Sequence, residues 1–426
     1  MLTAYRILTN ILYPFLFIFL LVRIFSKNED PMRFGEKILV KKFKAKRILN
    51  LKLIWFHAAS IGEFKSIIPI IKNLNSEYKN FQFLITTNTL SSSAIALTEL
   101  KKFNNAQHRF MPFDINFLIE KFIESWKPEK IFLVDSEIWP NLIIKAHEKR
   151  IPLGLINARL TKKSYLRWSR FPKTAKKIFN FISLSLCANK ETQKYLNKLH
   201  ARNIIYAGNI KFTNNIQLIK FKNNNDKILS KLRFWLAVSI HKEEEIFCLK
   251  THIELKKRYN NIVTIIAPRH LNKIERIKKL SENFKLKTQI LNDNDEISNN
   301  AEIIIINSFG VLQKYFRYAK SVFVGKSMIK RLENDSGQNP IDAAKFDCKI
   351  YHGPYVSNFN EVYEILKKEN FSYLINNYNE LCHNLIRDLQ NPVKKNILGS
   401  NSIDNLGKEI LSNTMIEIKK FLNDKI

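Results

Sequence analysis

Several patterns are missing from this 426-residue chain, and each absence removes a class of function. The four cysteines, Cys187, Cys248, Cys348 and Cys382, form no Cys-x-x-Cys pair. Scattered cysteines in a chain this long fit a reducing compartment with no disulfide framework. The nine histidines are equally dispersed, with no His-Glu-x-x-His, so no protein-built metal site is expected. Acidic residues are scarce: 38 Asp and Glu stand against 70 Lys and Arg, a formal net charge of +32. That balance points to an anionic partner, whether nucleic acid, acidic lipid or a phosphorylated substrate, without choosing among them. The basic residues are spread along the whole chain with no nucleic-acid motif, which argues against a nucleic-acid binder.

Hydrophobic residues make up 45% of the chain, which excludes wholesale disorder. The length suits two domains, each with its own core. Residues 7–25 read ILTNILYPFLFIFLLVRIF, with Pro14 and Arg23 as the interruptions. The run is near the lower limit for crossing a hydrocarbon core. A signal peptide lacks support, because no small-x-small cleavage site follows. A buried core helix remains an alternative, but the preferred reading is a membrane anchor, spanning or half-inserted. Six positive charges follow it (Lys37, Lys41, Lys42, Lys44, Lys46 and Arg47), which places the catalytic body on the cytoplasmic side.

Beyond the anchor, short apolar runs alternate with helical patterns. Strands are expected at 53–58, 81–86, 131–134, 152–156, 181–187 and 203–206. After a polar stretch at 213–226 that reads as a linker, further strands are expected at 234–238, 262–267, 287–291, 301–306, 321–324 and 348–351. Alternation of this kind predicts parallel sheets with helices on both faces. The segment 55–63 echoes 235–243: each is an apolar strand, a small-residue turn and an acidic helix start. In such domains ligands bind at the carboxyl ends of the strands, so the loops there carry the candidate chemistry.

Ser60-Ile61-Gly62-Glu63 follows the first strand. Gly62 permits a sharp turn. Glu63 either complements a helix dipole or, in a partly dry cleft, acts as a general base with a raised pKa. Asp135-Ser136-Glu137-Ile138-Trp139-Pro140-Asn141 crowds an acid, a tryptophan and a proline onto another strand end. Trp139 either stacks on a sugar ring or packs between domains. Arg159 and Lys211 add positive charge or form a solvated surface. In the second half, Pro268 stiffens a strand exit and Arg269 offers a planar fork for a phosphate. Ser308-Phe309-Gly310 follows the strand at 301–306. The small-residue loop 336–344 opens a helix, a setting suited to an anionic nucleotide. That loop is neither a Walker loop nor a complete Gly-x-Gly-x-x-Gly, so ATP and NAD are poor candidates.

Six motifs, taken in order, resemble the lipid A Kdo transferases, which add 3-deoxy-D-manno-octulosonic acid (Kdo) to lipid A. They are His57-Ala58-Ala59-Ser60-Ile61-Gly62-Glu63, Ser136-Glu137-Ile138-Trp139-Pro140-Asn141, Asn157-Ala158-Arg159-Leu160, Gly208-Asn209-Ile210-Lys211-Phe212, Ala267-Pro268-Arg269-His270 and Gly337-Gln338-Asn339-Pro340-Ile341-Asp342-Ala343-Ala344. The resemblance implies an α/β GT-B fold: two Rossmann-like, doubly wound domains facing a cleft, behind an N-terminal membrane-anchor helix. The implied layout is an anchor at 1–26, an acceptor domain at 32–212, a linker at 213–226, a CMP-sugar donor domain at 227–400 and a C-terminal helix at 401–426. It implies inverting transfer of Kdo from CMP-Kdo to the lipid A precursor, a tetraacyldisaccharide bisphosphate. It implies no cofactor and no metal. It places the protein at an anionic lipid surface, the cytoplasmic face of a bacterial inner membrane. Another membrane-associated GT-B transferase using a different nucleotide sugar is the alternative.

By the same resemblance Glu63 is the proton acceptor, and Glu137 and Lys211 stabilise the transition state. Pro268, Arg269, Phe309, Gly310, Val311, Asn339, Pro340, Ile341 and Asp342 hold CMP. The chain departs from the family pattern at Val311, where an acidic residue is usual, and at Gly325-Lys326, which replaces a Gly-Gly pair. Residues 328–336 are longer and more charged than usual, and Gln338 replaces a histidine.

Overall fold

The computed structural model describes residues 2–48, 50–213, 224–308, 310–390 and 401–424. It divides into two compact units, Met1–Asn214 with Leu406–Ile426, and Asn215–Asn405. Ten residues of the expected linker, 214–223, lie outside the described residues.

The first unit contains β1 (Lys52–His57), β2 (Phe81–Thr87), β3 (Ala106–Phe110), β4 (Lys130–Val134), β5 (Leu153–Ala158), β6 (Leu184–Cys187) and β7 (Ile204–Tyr206). They form one sheet in the order β3-β2-β1-β4-β5-β6-β7. The second contains β8 (Arg233–Ile240), β9 (Ile262–Pro268), β10 (Thr288–Leu291), β11 (Ile303–Ile306), β12 (Ser321–Val324), β13 (Lys349–His352) and β14 (Ser372–Leu374), in the order β10-β11-β9-β8-β12-β13-β14. Every pairing is parallel. Helices cover both faces of such sheets, so central strands read as unbroken apolar runs; β11 is four isoleucines, all buried.

The echo between 55–63 and 235–243 has a topological counterpart. β1 lies between β2 and β4, and β8 lies between β9 and β12. Each is the strand at which the winding direction reverses, which is where doubly wound domains open a crevice.

The expected single N-terminal helix is two helices, Leu2–Ile11 and Tyr13–Phe25, bent by 54°. Pro14 explains the break: its ring removes a donor and crowds the preceding turn. No single helix among the described residues is long and apolar enough to cross a membrane, although the bent pair together passes by length and composition. One side of the pair packs on the first unit. Leu20 is buried, Tyr13 stacks edge-on against Phe117 at 5.0 Å and donates to the Ile38 carbonyl at 3.1 Å. The Tyr5 hydroxyl donates to Asp114 Oδ2 at 2.9 Å. Phe15, Ile18, Phe19 and Val22 remain exposed on the other side.

The C-terminal helix Asn401–Asn423 belongs mostly to the first unit. Phe421 meets Phe132 of β4 at 5.4 Å, and Lys419 pairs with Glu77 at 2.5 Å.

Candidate active site

β1 ends at His57, and the helix Ile61–Glu77 begins four residues later. Ser60 caps it, accepting from the Glu63 backbone N–H, so Glu63 occupies the third helical position. Its carboxylate folds back over the turn. Oε2 accepts from the Ala59 backbone N–H at 2.7 Å, and Oε1 accepts from the Ser60 hydroxyl at 2.8 Å. These two bonds fix the carboxylate at the strand end, over the backbone of the residue before the cap. Burial raises the Glu63 pKa, with the charges of Asp135 and Glu137 adding to it; the Ser60 hydrogen bond and Lys211 oppose the rise. The net direction is upward, as a general base needs. Gly62 is not serving the expected sharp turn. It sits within the helix, and a Cβ there would meet nothing within 4 Å. What it leaves is open space beside Glu63.

The loop after β4 brings in two more acids. Asp135 is buried with a positive φ of 64°, a strained backbone for a non-glycine residue. The Lys211 Nζ donates to its Oδ2 at 2.5 Å. Burial alone would raise the Asp135 pKa, but Lys211 and Arg159 outweigh it and hold the carboxyl below its ordinary range. Lys211 reaches this place from a short 3-10 turn, Ile210–Thr213. Asn157, itself at φ 55°, clips that turn by accepting from the Ile210 backbone N–H at 3.0 Å. Lys211 is therefore the partner of a buried acid rather than a solvated surface cation.

Glu137, a fifth exposed, accepts from the Trp139 indole N–H at 2.6 Å. Its Oε2 lies 3.6 Å from His57 Nε2, and the Trp139 ring stands edge-on to His57 at 5.5 Å. Within the first unit Trp139 thus acts as a brace for Glu137. The three expected catalytic residues come together at the ends of β1, β4 and the turn after β7. Nothing in the sequence alone singles out a role for Asp135, Asn157 or, outside the motif that contains it, His57. Asp135 and Lys211 are 76 positions apart, and no local pattern joins them.

In the second unit Pro268 closes β9, and Arg269 follows with its side chain exposed. The Arg269 backbone N–H donates to the Ile240 carbonyl at 3.1 Å, which ties it to the end of β8. His241 and His270 meet edge-on at 5.8 Å beside it. Burial, then Lys326, His270 and Arg269, push the His241 pKa down to about 4. A concentration of positive charge at these strand ends fits an anionic ligand. Phe309 lies outside the described residues. Gly310 has φ 79°, and Val311 caps the short helix Leu312–Phe316 with its side chain buried.

Asn339 is exposed and its Oδ1 accepts from the Ile341 backbone N–H at 3.1 Å, while Pro340 and Ile341 are buried. The helix these residues open, Ile341–Lys345, is only five residues long, so its dipole is small. Gly337 is obligatory before it: φ is 82°, and a Cβ would stand 2.9 Å from Val356 Cα. The charged 328–336 segment forms a 3-10 turn, Lys330–Asp335, held by Arg331–Glu243 at 2.7 Å and Lys326–Asp335 at 3.4 Å. Among the described residues no group of three or more His, Cys, Asp or Glu could hold a metal ion.

Comparison with known proteins adds a family context to this geometry. Residues 32–214 match the family described as 3-Deoxy-D-manno-octulosonic-acid transferase (kdotransferase). A 3-deoxy-D-manno-octulosonic acid transferase of Rickettsia bellii (strain RML369-C) is 30% identical, over 85% of this chain and 84% of its own length. One from Rickettsia prowazekii (strain Madrid E) is 28% identical over 99% of this chain and all of its own. Among solved structures, a putative UDP-N-acetylglucosamine 2-epimerase from Listeria monocytogenes superposes with a TM-score of 0.60 over 88% of this chain and 98% of its own. At 13% identity that likeness speaks for the two-domain fold alone.

Proposed function

The chain belongs to the 3-deoxy-D-manno-octulosonic acid transferase family, and from that premise we propose that it moves Kdo from CMP-Kdo to the lipid A precursor at the cytoplasmic face of a bacterial inner membrane. The observation that carries the reading is the acid cluster of the first unit. Glu63 is held by Ala59 and Ser60, has a raised pKa, and feels Asp135, Glu137 and Lys211 around it.

In this reading Glu63 removes the proton from the acceptor's primary hydroxyl. The oxygen attacks the anomeric carbon of Kdo, the bond from that carbon to the CMP phosphate oxygen breaks, and the electron pair leaves with CMP. One displacement inverts the configuration. Glu137 and the Lys211–Asp135 pair are preorganised charges, and such charges are effective where water is excluded. Arg269 and the nearby Lys326 supply the positive field for the donor's anionic groups. Transfer requires no metal in this scheme. The exposed apolar side of the N-terminal helix pair would lie against the bilayer, and the net charge of +32 favours an anionic lipid surface.

The test offers the purified full chain tetraacyldisaccharide bisphosphate in mixed micelles with CMP-Kdo or with UDP-sugars. Kdo transfer from CMP-Kdo alone, unchanged by EDTA, is expected. Transfer from a UDP-sugar alone would replace the donor, and activity lost to EDTA and restored by magnesium would overturn the metal-free scheme.

A further inference from the structure

Glu137 is braced by Trp139 from one side, and a second group faces the same oxygen without yet reaching it. His57 is fully buried at the end of β1, and its Nε2 has no hydrogen-bond partner. Buried polar atoms without partners are rare and call for an explanation. The strand register supplies one. His57 pairs with Thr86 on β2 and with Leu133 on β4, so it stands beside the strand whose exit loop carries Glu137.

The state of the ring follows from its neighbours. The Trp55 indole N–H, which can only donate, donates to Thr86 Oγ1 at 2.9 Å. The Thr86 hydroxyl proton is left free to seek an acceptor. His57 Nδ1 at 2.9 Å is better placed than the Phe56 carbonyl at 3.5 Å or the Met111 sulfur at 3.7 Å. With Nδ1 accepting, the neutral ring carries its proton on Nε2; the charged ring carries one there as well. In either state Nε2–H faces Glu137 Oε2 at 3.6 Å, a few tenths of an ångström beyond a hydrogen bond. Hydrogen bonds in unliganded active sites are often long and tighten when substrate binds.

We propose that His57 is a positioning residue for Glu137: on substrate binding its Nε2–H closes onto Oε2, alongside the Trp139 indole, and Thr86, fixed by Trp55, sets the ring for that task. Two N–H groups then hold one oxygen and leave Oε1 to the substrate. The relay runs Trp55, Thr86, His57, Glu137, and no member but the last touches substrate. The inference rests on Glu137 serving the transfer reaction.

The experiment measures kcat and KM for Kdo transfer in full-length His57→Met, His57→Gln, Glu137→Gln and the His57→Met/Glu137→Gln double variant. A hydrogen bond to a charged group predicts a fall in kcat of about tenfold to a hundredfold for His57→Met. Both KM values should stay within about threefold of wild type, because a misplaced Glu137 costs most where charge develops in the transition state. His57→Gln, which keeps an N–H near the Nε2 position, should recover part of the loss. In the Glu137→Gln background His57→Met should cost nothing further. An equal loss in both backgrounds, or a normal kcat for His57→Met beside an impaired Glu137→Gln, overturns the proposal. Normal activity of Glu137→Gln would instead remove the role of Glu137 itself, and the proposal with it. Should His57→Met fail to fold, histidine-selective ¹⁵N NMR on the wild-type chain decides: a bare Nδ1 with protonated Nε2 supports the relay, and an Nδ1–H tautomer refutes it.

Discussion

Glu63 and Glu244 occupy comparable places and do different work. Each lies in the first turn of the helix that leaves the central strand of its sheet. Glu63 is bonded only to its own turn and sits among like charges that raise its pKa after burial. Glu244 is buried and accepts four backbone N–H groups: those of His241 and Lys326 on Oε2, and Ser327 and Met328 on Oε1. Those bonds fasten the loop after β12 to the end of β8. One carboxylate is left available for the proposed proton transfer; the other is consumed in holding backbone together. The sequence echo had aligned Glu63 with Glu243. In the structure β8 runs on to Ile240, with Ser239 at φ 55° and a register shift beside it, so Glu243 falls outside the helix and pairs with Arg331 on the surface. The pattern of strand, turn and acid identifies the place in the topology. It does not identify the task.

The same substitution at both sites should separate the two roles. Glu63→Gln keeps the shape and removes the proposed base, so kcat should fall by about 10²–10⁴-fold, as loss of general-base catalysis implies. Its thermal stability should not fall. A carboxylate whose pKa is raised on folding contributes stability below the ordinary carboxylate range and loses it as pH rises through the raised value. Removing the charge at neutral pH lifts that penalty. For the wild type, kcat/KM should rise with pH through a value above the ordinary glutamate range, where the base becomes ionised; a flat profile across that range would remove Glu63 from the role. Near-normal transfer by Glu63→Gln would erase the contrast altogether.

Lys211→Met tests whether the first unit's charges are catalytic only. The substitution takes from the buried Asp135 carboxylate its hydrogen-bonded cation and leaves it only the charge of Arg159, which destabilises by up to roughly 3–5 kcal/mol on top of any loss of rate. Asp135 is held below its ordinary range, so the pair's contribution is complete above about pH 4 and disappears as pH falls below that, where the carboxyl protonates. Thermal melts of wild type and Lys211→Met should therefore differ most at neutral pH and converge in acid. Lys211→Met/Asp135→Asn should regain much of the stability without regaining kcat. Glu244→Gln is the smaller counterpart. Its amide nitrogen would face backbone donors, at roughly 1–3 kcal/mol for the groups left unpaired, with Tm down by several degrees. Where the protein stays folded, kcat should hold; a kinetic loss as deep as that of Glu63→Gln would mean that Glu244 is not merely a clamp.

The central strands were legible because parallel sheets demand unbroken apolar runs there. Each of the twelve expected strands overlaps an observed one, and Ser321–Val324 agrees at both ends. The two strands not foreseen, β3 and β14, lie at sheet edges. Ala106–Phe110 is mostly polar and Ser372–Leu374 is three residues long, so neither carries a run to read. The final helix was foreseen, but not its return to the first unit, because the contact of Phe421 with Phe132 joins distant parts of the chain. At the site, Glu63 and Glu137 announced themselves as acids at strand ends. Asp135 stood in the same motif, yet its role depends on a positive φ and on a lysine 76 positions away. His57 lay inside the strand expected at 53–58, and only the register against Thr86 gives it a partner.

Gly62→Ala is the smallest change that still tells the two regions apart. The residue is helical and exposed, and a methyl group there would meet nothing within 4 Å. On propensity alone alanine should stabilise the helix, by at most about 1 kcal/mol and less in its first turn. No fold requirement therefore accounts for glycine at this position. If the space beside Glu63 receives the acceptor hydroxyl, the methyl group intrudes on the acceptor and not on the nucleotide sugar. The expected result is an unchanged or slightly higher Tm, a KM for the lipid acceptor raised by about threefold to tenfold, and an unchanged KM for CMP-Kdo, the signature of lost uniform binding to one substrate. Unchanged KM for both substrates would leave the open space without a function. A raised KM for CMP-Kdo alone would assign it to the donor and force a new account of what Glu63 deprotonates.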